Sequence, residues 1–303
     1  MTASEQTTST VFMVKPMDFK YNTQTAETNS FMNSEYGKDP KSAAMKESDD
    51  YVSLLEKNGV KVVRVEDTLE PETPDSVFPN NWFSTHAGGI LVLYPMCALN
   101  RRQERKQVFL DAINKNFKLK KKIDLTHWEN ENKFLEGTGS MVLDRVYKIV
   151  YACRSPRTNE EVLDDFCKQL GYRKVIFDAK DAKGNIIYHT NVMMCVAEKF
   201  AVVCFDAFRN EKQKNEVIDS LKKTNKIIIS ITFDQMNKFA GNLLEIKNKD
   251  NKKFLIMSQT AYDNFTKDQL KNFEQDCTIL HPNIECIEVI GGGSARCMLA
   301  ELF

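Results

Sequence analysis

The sequence has no excess of charge of either sign, because Lys plus Arg and Asp plus Glu both number 42 among its 303 residues. Nucleic acids and anionic membrane surfaces attract strongly basic proteins, so neither is expected as the main partner. No apolar run approaches the roughly 20 residues that span a bilayer. The N-terminal stretch MTASEQTTST lacks the basic start and apolar core of a secretion signal. We therefore expect a soluble, cytoplasmic protein.

Paired cysteines and clustered metal ligands are also missing. The eight cysteines form no CxxC pair, and several lie in apolar runs such as VMMCVA and AVVCF, which is typical of reduced, buried thiols. The four histidines share no metal-ligand spacing with these cysteines. The sequence thus predicts a protein of a reducing compartment that uses no metal and no other cofactor.

What the sequence does contain is a repeated unit. Four stretches pair two short apolar runs around a polar turn, as β-hairpins do; they span residues 81–95, 140–152, 191–205 and 242–258. An amphipathic helical pattern follows each of them, in residues 101–116, 158–171, 210–224 and 263–276. A strand-like run then closes each unit. After the fourth helix this strand is predicted either as CTIL or as IECIEVI.

A fifth unit forms when the two ends of the chain are brought together. The C-terminal run RCMLAELF can pair with residues 10–16, and a helix at 40–59 and a strand at 60–65 complete the unit. Five such units predict one α/β domain over residues 1–303, a five-bladed α/β propeller, with a flexible N-terminus at 1–9. A doubly wound parallel sheet is the alternative, which the tight hairpins disfavour.

Polar residues gather at or just before the start of each hairpin, at positions that are equivalent in the repeat. Equivalent positions of a ring face one centre, so Asn81, Glu136, His189, Asn191 and Cys297 should converge. A cysteine, a histidine and a carboxylate are the components of nucleophilic catalysis. We expect Cys297 to be the nucleophile and His189 to hold it as thiolate. Glu136 would orient the histidine or bind substrate.

These segments resemble the guanidino-group-modifying, or amidinotransferase (pentein), superfamily, which includes arginine deiminases and dimethylarginine dimethylaminohydrolases. The segment PDSVFPNN at 74–81 is similar to PDSVFVED of the dimethylarginine hydrolases. LEGTGS, YHTN and GGGSARCM stand where the family has its catalytic Glu, His and Cys segments. The resemblance runs from the first hairpin to the C-terminus and implies the five-bladed propeller fold.

The resemblance also implies how an amino-acid substrate is held. Family segments that match LNRRQE and SPRTNEE carry arginines for the substrate α-carboxylate, which implies Arg101 and Arg157 here. Asp75 is expected either to meet the α-ammonium group or to cap a turn. Asn242, at the equivalent place in its hairpin, is expected to line the site or to be structural, and residues 22–29 are expected to form a loop over the pocket mouth.

The sequence departs from the family at two positions, and the departure bears on the substrate. Asn81 and Asn191 stand where deiminases carry carboxylates that grip a guanidinium. A buried guanidinium without its anions loses about 3–5 kcal/mol, whereas an asparagine amide can both donate to and accept from a neutral ureido group. The combination of PNNW with HTN is similar to a citrulline-hydrolysing branch of the superfamily. Citrulline is therefore the predicted substrate.

The predicted reaction has two steps. Cys297 attacks the ureido carbon while His189 protonates the departing ornithine amine, and water then hydrolyses the S-carbamoyl enzyme to CO₂ and ammonia. The closest alternative is an arginine deiminase or dimethylarginine hydrolase, in which Glu136 alone supplies the anion. An amidinotransferase is a further alternative, and a propeller that serves as a binding module is the non-enzymatic one. The sequence leaves open whether the protein is a homodimer.

Overall fold

The computed structural model describes residues 5–303, and all structural statements refer to that range. These residues form the strands β1 Thr10–Lys15, β2 Lys61–Glu66, β3 Phe83–His86, β4 Ile90–Leu93, β5 Lys121–Asp124, β6 Val142–Asp144, β7 Ile149–Cys153, β8 Arg173–Phe177, β9 Met194–Val196, β10 Phe200–Val203, β11 Ile227–Ser230, β12 Leu244–Lys247, β13 Lys253–Ile256, β14 Thr278–Leu280 and β15 Ala300–Leu302. The α-helices of the same range are α1 Thr23–Ala26, α2 Pro40–Lys57, α3 Leu99–Arg102, α4 Gln107–Asn116, α5 Gly137–Ser140, α6 Glu160–Leu170, α7 Glu211–Lys223, α8 Phe233–Met236, α9 Gln259–Asn264, α10 Lys267–Glu274 and α11 Glu285–Gly291.

The strands are organised as five three-stranded sheets within the described range, and one pattern is common to all of them. An antiparallel pair is extended by a third strand that runs parallel to the middle strand. The orders are β3-β4-β5, β6-β7-β8, β9-β10-β11, β12-β13-β14 and β15-β1-β2. In the last sheet the final strand pairs with the first, with Leu302 opposite Thr10. The structure confirms the five predicted units, including the one joined from both ends of the chain. It also confirms the α/β fold class.

The first part of the chain is packed more firmly than the sequence predicts. Gln6 is buried, and its side-chain amide donates to the carbonyl oxygens of Leu143 (2.9 Å) and Val196 (3.0 Å) while its Oε1 accepts from the backbone N–H of Arg145 (2.8 Å). Thr7 and Thr8 are also buried. One amide thus ties Gln6 to two sheets, within the segment 1–9 that the sequence predicts to be flexible. Residues 1–4 lie outside the described range.

Two local predictions differ from the structure, and the choice left open between CTIL and IECIEVI is decided for CTIL. CTIL contains β14, whereas IECIEVI forms α11, whose apolar residues recur at helical spacing. The helix predicted at 263–276 is two helices, because Ser258 caps α9 and Thr266 caps α10. Cys297 precedes β15 in a turn, in which its N–H donates to Ser294 O at 2.9 Å.

The start of each sheet's first strand positions the polar residues of interest. A single helical turn precedes β3, β6 and β9, formed by Pro79–Asn81, Gly137–Ser140 and Thr190–Val192. Large buried aromatic side chains such as Trp82 and Phe83 pack directly behind such a turn, with their ring centroids 4.4 Å apart. Because these buried segments lie directly before strands, close packing holds their side chains in fixed positions.

Among the described residues, no helix has the length and apolarity needed to cross a membrane.

Candidate active site

The predicted site residues surround one small cavity of about 20 Å³. Its walls come from the chain segments before β3, β9 and β15, together with residues from other loops: Thr25, Asn29, Asp75, Phe78, Asn81, Arg101, Arg157, Tyr188, His189, Gly291, Gly292, Gly293 and Cys297. Glu136 lies behind this wall with no exposed surface. Asn191 contacts the sulfur of Cys297 but lines a neighbouring cavity. The structure thus brings the eight predicted residues into one connected cluster.

A charged chain of side chains forms one half of the site. His189 Nε2 lies 2.8 Å from Glu136 Oε2, and the Arg157 Nη1 donates to the same oxygen at 3.5 Å. Burial raises the pKa of the Glu136 carboxyl, but the charge of Arg157 and the hydrogen bond from His189 outweigh it and hold this pKa well below its usual range. Glu136 is therefore ionised, and the proton of this contact lies on His189 Nε2.

The His189 imidazole is held neutral by its surroundings. Burial lowers its pKa to about 4, and Arg157 and Arg101 act in the same direction against the raising effect of Glu136. With Nε2 donating to Glu136, the Nδ1 atom carries a lone pair, and it makes no hydrogen bond with any described residue. Nδ1 can therefore accept a proton, and Glu136 then stabilises the imidazolium that results.

The sulfur of Cys297 lies among amides rather than against the imidazole. Asn242 Nδ2 donates to Cys297 Sγ at 3.1 Å, and Asn191 Nδ2 donates to it at 3.4 Å. No hydrogen bond from His189 reaches the sulfur within the described range. The thiol and the imidazole line the same cavity, so a proton can pass between them only through a small rearrangement or a group bound in that cavity.

The Asn81 amide has an orientation that its neighbour dictates. Arg101 Nη1 donates to Asn81 Oδ1 at 2.8 Å, and a guanidinium cannot accept, so the oxygen of the amide must face Arg101. The Nδ2 atom of Asn81 is buried and has no partner among the described residues. Asn81 consequently offers a hydrogen-bond donor to the site.

A glycine makes room for this donor. A Cβ atom on Gly139 would lie 2.4 Å from Asn81 Nδ2 and 2.7 Å from His189 Nδ1, closer than any side chain could pack. The same measurement shows that the amide nitrogen and the free imidazole nitrogen both pack against Gly139. Both side chains also line the cavity, so a group bound in the cavity can reach them.

Arg101 has few donors left for a substrate. Its guanidinium donates to both carboxylate oxygens of Glu104 (2.7 and 3.0 Å), to Asn81 and to Phe78 O (3.1 Å). These contacts leave one of its five N–H groups free. Arg101 lines the cavity, but its guanidinium is bound to Glu104 and Asn81, and its binding of a substrate α-carboxylate stays a prediction.

Residues 22–29 cover the cavity from outside. Thr25 and Asn29 line it, and Arg157 Nη2 donates to Thr25 O (2.7 Å) and to Thr28 Oγ1 (2.6 Å). The Oδ2 atom of Asp75 accepts from Asn22 Nδ2 and Thr25 Oγ1, both at 2.9 Å, whereas its Oδ1 is buried without a partner. Residues 22–29 therefore already form hydrogen bonds with Arg157 and with one oxygen of Asp75. These are side chains that the sequence assigns to the α-carboxylate and the α-ammonium group of an amino acid.

The sequence did not single out Glu104, Thr28 or Tyr188. Glu104 lies three residues after Arg101 on the same helical path, a spacing typical of ion pairs, which could have revealed it. Tyr188 donates to Gly292 O at 2.9 Å and so fixes the glycine run before Cys297. Asn242 carried a clear signal, because it follows Asn191 by the same 51 residues that separate Asn191 from Ser140.

Comparison with known proteins agrees with this geometry. A family model described as N,N dimethylarginine dimethylhydrolase, eukaryotic, matches residues 15–303. The chain belongs to this family. Its membership of the pentein (amidinotransferase) superfamily, which the sequence motifs predict, is confirmed. A search of curated proteins found no match.

Solved pentein structures share the fold at low sequence identity. The N-terminal domain of ArgZ, an arginine dihydrolase from the ornithine–ammonia cycle in cyanobacteria, was solved as a Cys→Ser mutant bound to substrate; it superposes with a TM-score of 0.74 and 18% identity over 96% of this chain and 98% of that domain. AgrE in complex with L-arginine gives a TM-score of 0.73 and 18% identity over 96% of this chain and 39% of that chain. The dimethylarginine hydrolase of Pseudomonas aeruginosa in complex with citrulline gives 0.67 and 13% over 97% of this chain and 99% of that chain.

The length of the match differs between these relatives. The chain spans 40% of full-length ArgZ, yet it covers nearly the whole ArgZ N-terminal domain. One structure of that domain holds a covalently bound reaction intermediate. The neighbours are thus enzymes of guanidino-group chemistry that bind small amino-acid molecules, and this chain has the same fold.

Proposed function

We propose that this pentein hydrolyses the ureido group of citrulline to ornithine, CO₂ and ammonia through an S-carbamoyl cysteine. The observation that carries the proposal is the unpartnered Nδ2 of Asn81. Arg101 fixes the amide so that it can only donate to the site. A guanidinium has no acceptor for such a donor, whereas the oxygen of a ureido group accepts it. A buried donor left without a partner costs about 1–3 kcal/mol, so the amide discriminates between the two head groups.

The Asn81 amide can also stabilise the charge that develops during the reaction. Attack on the ureido carbon moves charge onto its oxygen, and a fixed amide donor stabilises that charge by about 3–4 kcal/mol in comparable sites. Because Asn81 and His189 line the same cavity, the oxygen of a bound ureido group would meet Asn81 Nδ2 and its departing nitrogen would meet His189 Nδ1.

The atoms of the reaction balance with the groups present. The Cys297 thiol gives its proton to neutral His189, and the sulfur bonds to the ureido carbon. The bond from that carbon to the δ-nitrogen breaks, and His189 returns the proton to ornithine. Water then gives a proton to His189 and its oxygen to the carbamoyl carbon, which releases carbamate and restores the thiol. Carbamate breaks down to CO₂ and ammonia.

The ends of the amino acid have matching partners in the wall. The unpartnered Oδ1 of Asp75 accepts from the α-ammonium group, and Arg157 receives the α-carboxylate in exchange for its contacts with Thr25 and Thr28. An aromatic face of Tyr188 lies 4.9 Å from the Arg157 guanidinium and keeps it in place. We also propose that the five sheets close into a propeller around this site, which the pairing of β1 with β15 supports.

Arginine is the rival substrate, because ArgZ is an arginine dihydrolase and AgrE was solved with L-arginine. The ionised Glu136 is the buried anion that such a substrate would need. Its charge is already paired with Arg157 and its hydrogen-bonding capacity is shared with His189. This arrangement favours the neutral head group.

The test is a substrate panel followed by mass spectrometry of the products. Purified protein is incubated separately with citrulline, arginine and dimethylarginine, and we expect ornithine from citrulline with kcat/KM at least about 10²-fold above that of the other two. Asn81→Asp keeps the acceptor for Arg101 but replaces the donor, so it should lower the citrulline value about 10²-fold. Asn80→Asp, which introduces a carboxylate at the adjacent buried position outside the cavity wall, is the matched control. Equal or faster turnover of arginine by the unmodified protein would overturn the proposal.

A further inference from the structure

The sulfur of Cys297 is held by a carboxamide that the catalytic scheme above does not use. Asn242 precedes β12, and its Nδ2 lies 3.1 Å from Cys297 Sγ, closer than the Nδ2 of Asn191 at 3.4 Å. Asn242 is buried, with 1% of its surface exposed. A short contact from a fixed and buried donor to the reacting atom calls for a chemical explanation.

The orientation of the Asn242 amide is determined by two other contacts. Its Oδ1 accepts from the backbone N–H of Arg296 at 3.1 Å, so the oxygen faces the chain just before the nucleophile. Its Nδ2 then has two hydrogens to place, one on Asn191 O at 3.2 Å and one on Cys297 Sγ. The amide therefore cannot turn to accept a hydrogen bond from the thiol without losing both contacts.

A glycine brings this side chain within reach. A Cβ atom on Gly241 would lie 2.2 Å from Val192 O, so only glycine lets this loop pack against the segment that carries Asn191. Asn242 and Asn191 occupy equivalent places in adjacent units of the repeat, 51 residues apart. The repeat thus delivers two amide donors to one sulfur.

The hydrogen-bond donors to the sulfur among residues 5–303 are neutral amides. Within residues 5–303 no arginine, lysine or histidine side chain forms a hydrogen bond to Cys297 Sγ. The positive charges of the site, Arg101 and Arg157, are engaged with carboxylates. Hydrogen bonds to an ionised acceptor are roughly twice as strong as those between neutral groups.

We infer that Asn242 is a catalytic residue that, with Asn191, donates hydrogen bonds to the Cys297 thiolate and holds its sulfur for attack. The thiolate forms when the thiol gives its proton to His189, and the two amides compensate the charge on sulfur without supplying a proton. The inference adds a residue to the proposed reaction, but the state of the sulfur does not depend on which substrate is turned over.

The experiment measures alkylation of Cys297 by iodoacetamide against pH, in the protein without substrate. In this step the thiolate displaces iodide and forms a carbon–sulfur bond, and mass spectrometry of the Cys297 peptide separates it from the other seven cysteines. We expect Asn242→Asp, which keeps the Arg296 contact and removes the donor, to move the midpoint of the pH profile upward by at least one unit. Asn242→Ser, whose hydroxyl can still donate, should give a smaller shift.

The matched control is Asn248→Asp. Asn248 lies just after β12 in the same unit and is buried, but its amide donates to Asn58 O at 3.0 Å and does not approach the sulfur. This variant should leave the alkylation profile unchanged. An unchanged midpoint in folded Asn242→Asp would overturn the inference, and if that variant does not fold, a profile of Asn242→Ser identical to that of the unmodified protein would do so.

A kinetic measurement provides a second readout. Because the contact is made to the nucleophile, Asn242→Ser should lower kcat while KM changes less than about twofold. Failure of citrulline as substrate would leave the alkylation result intact, so the two proposals can fail separately.

Discussion

The two halves of the site differ in the charge of the groups that surround the reacting side chains. Around His189 every partner is ionised, since Glu136 faces the imidazole and Arg157 faces Glu136. Around Cys297 the direct partners are the neutral amides of Asn191 and Asn242. The difference shows how a site can keep strong fixed charges for moving a proton while it presents an uncharged surface to the reacting carbon. A neutral head group can then enter without the loss of hydration that an ion would suffer.

The largest expected effect tests whether the charged half acts as a unit. Glu136→Gln and His189→Asn should each lower kcat/KM by about 10³-fold, and the double variant should lose hardly more than either alone, because each residue acts through the other. Steady-state kinetics on the accepted substrate measures all three.

A second double-mutant cycle combines one residue from each half of the site and tests whether the two halves act independently. Glu136→Gln combined with Asn242→Ser should give the product of the two single effects, because these side chains share no contact. Strong non-additivity in this second cycle would contradict the division of the site into two halves.

A smaller effect follows from the neutral imidazole. His189 has a pKa of about 4 in the folded protein, which burial lowers from the ordinary value of 6.5. The unfolded chain therefore binds a proton more readily, and the stability from this group is fully present above pH 6.5 and falls until pH reaches about 4. Between pH 6.5 and pH 5 this loss amounts to about 2 kcal/mol.

Urea unfolding at these two pH values measures the loss. His189→Asn should lower the pH dependence of the free energy of unfolding by about 2 kcal/mol relative to the unmodified protein. His127→Asn, at an exposed position, should behave like the unmodified protein. If His189→Asn kept the full pH dependence, the imidazole could not be neutral because of its burial.

The sequence indicates which residues form the candidate site, but not which of their atoms are in contact, and the reason is physical. The repeat fixes which positions face a common centre, so Asn81, His189 and Cys297 could be identified from spacing alone. Which atoms meet depends on side-chain directions that spacing does not determine. The repeat does not reveal that Arg101 orients Asn81, or that the partner of Cys297 Sγ is Asn242.

The same limit applies to local structure. IECIEVI is apolar enough for a buried strand, but its apolar residues also recur at helical spacing, and the segment packs as α11. The order of residues 6–8 depends on Gln6 reaching backbone oxygens more than 130 residues away, which no local pattern contains.

The smallest expected effect concerns residues 22–29, which cover the cavity and contact Arg157 in the charged half of the site. Thr28 Oγ1 accepts from Arg157 Nε at 2.9 Å and from Nη2 at 2.6 Å, and in the proposed binding mode these contacts are exchanged for the substrate carboxylate. Thr28→Val removes the acceptor and keeps the shape, so it should lower KM for citrulline about two- to fivefold at unchanged kcat, which corresponds to a weak hydrogen bond. Thr23→Val, in the same segment but exposed, should have no effect. A higher KM in Thr28→Val would instead show that the hydroxyl assists binding, and the charged half would then include part of its cover.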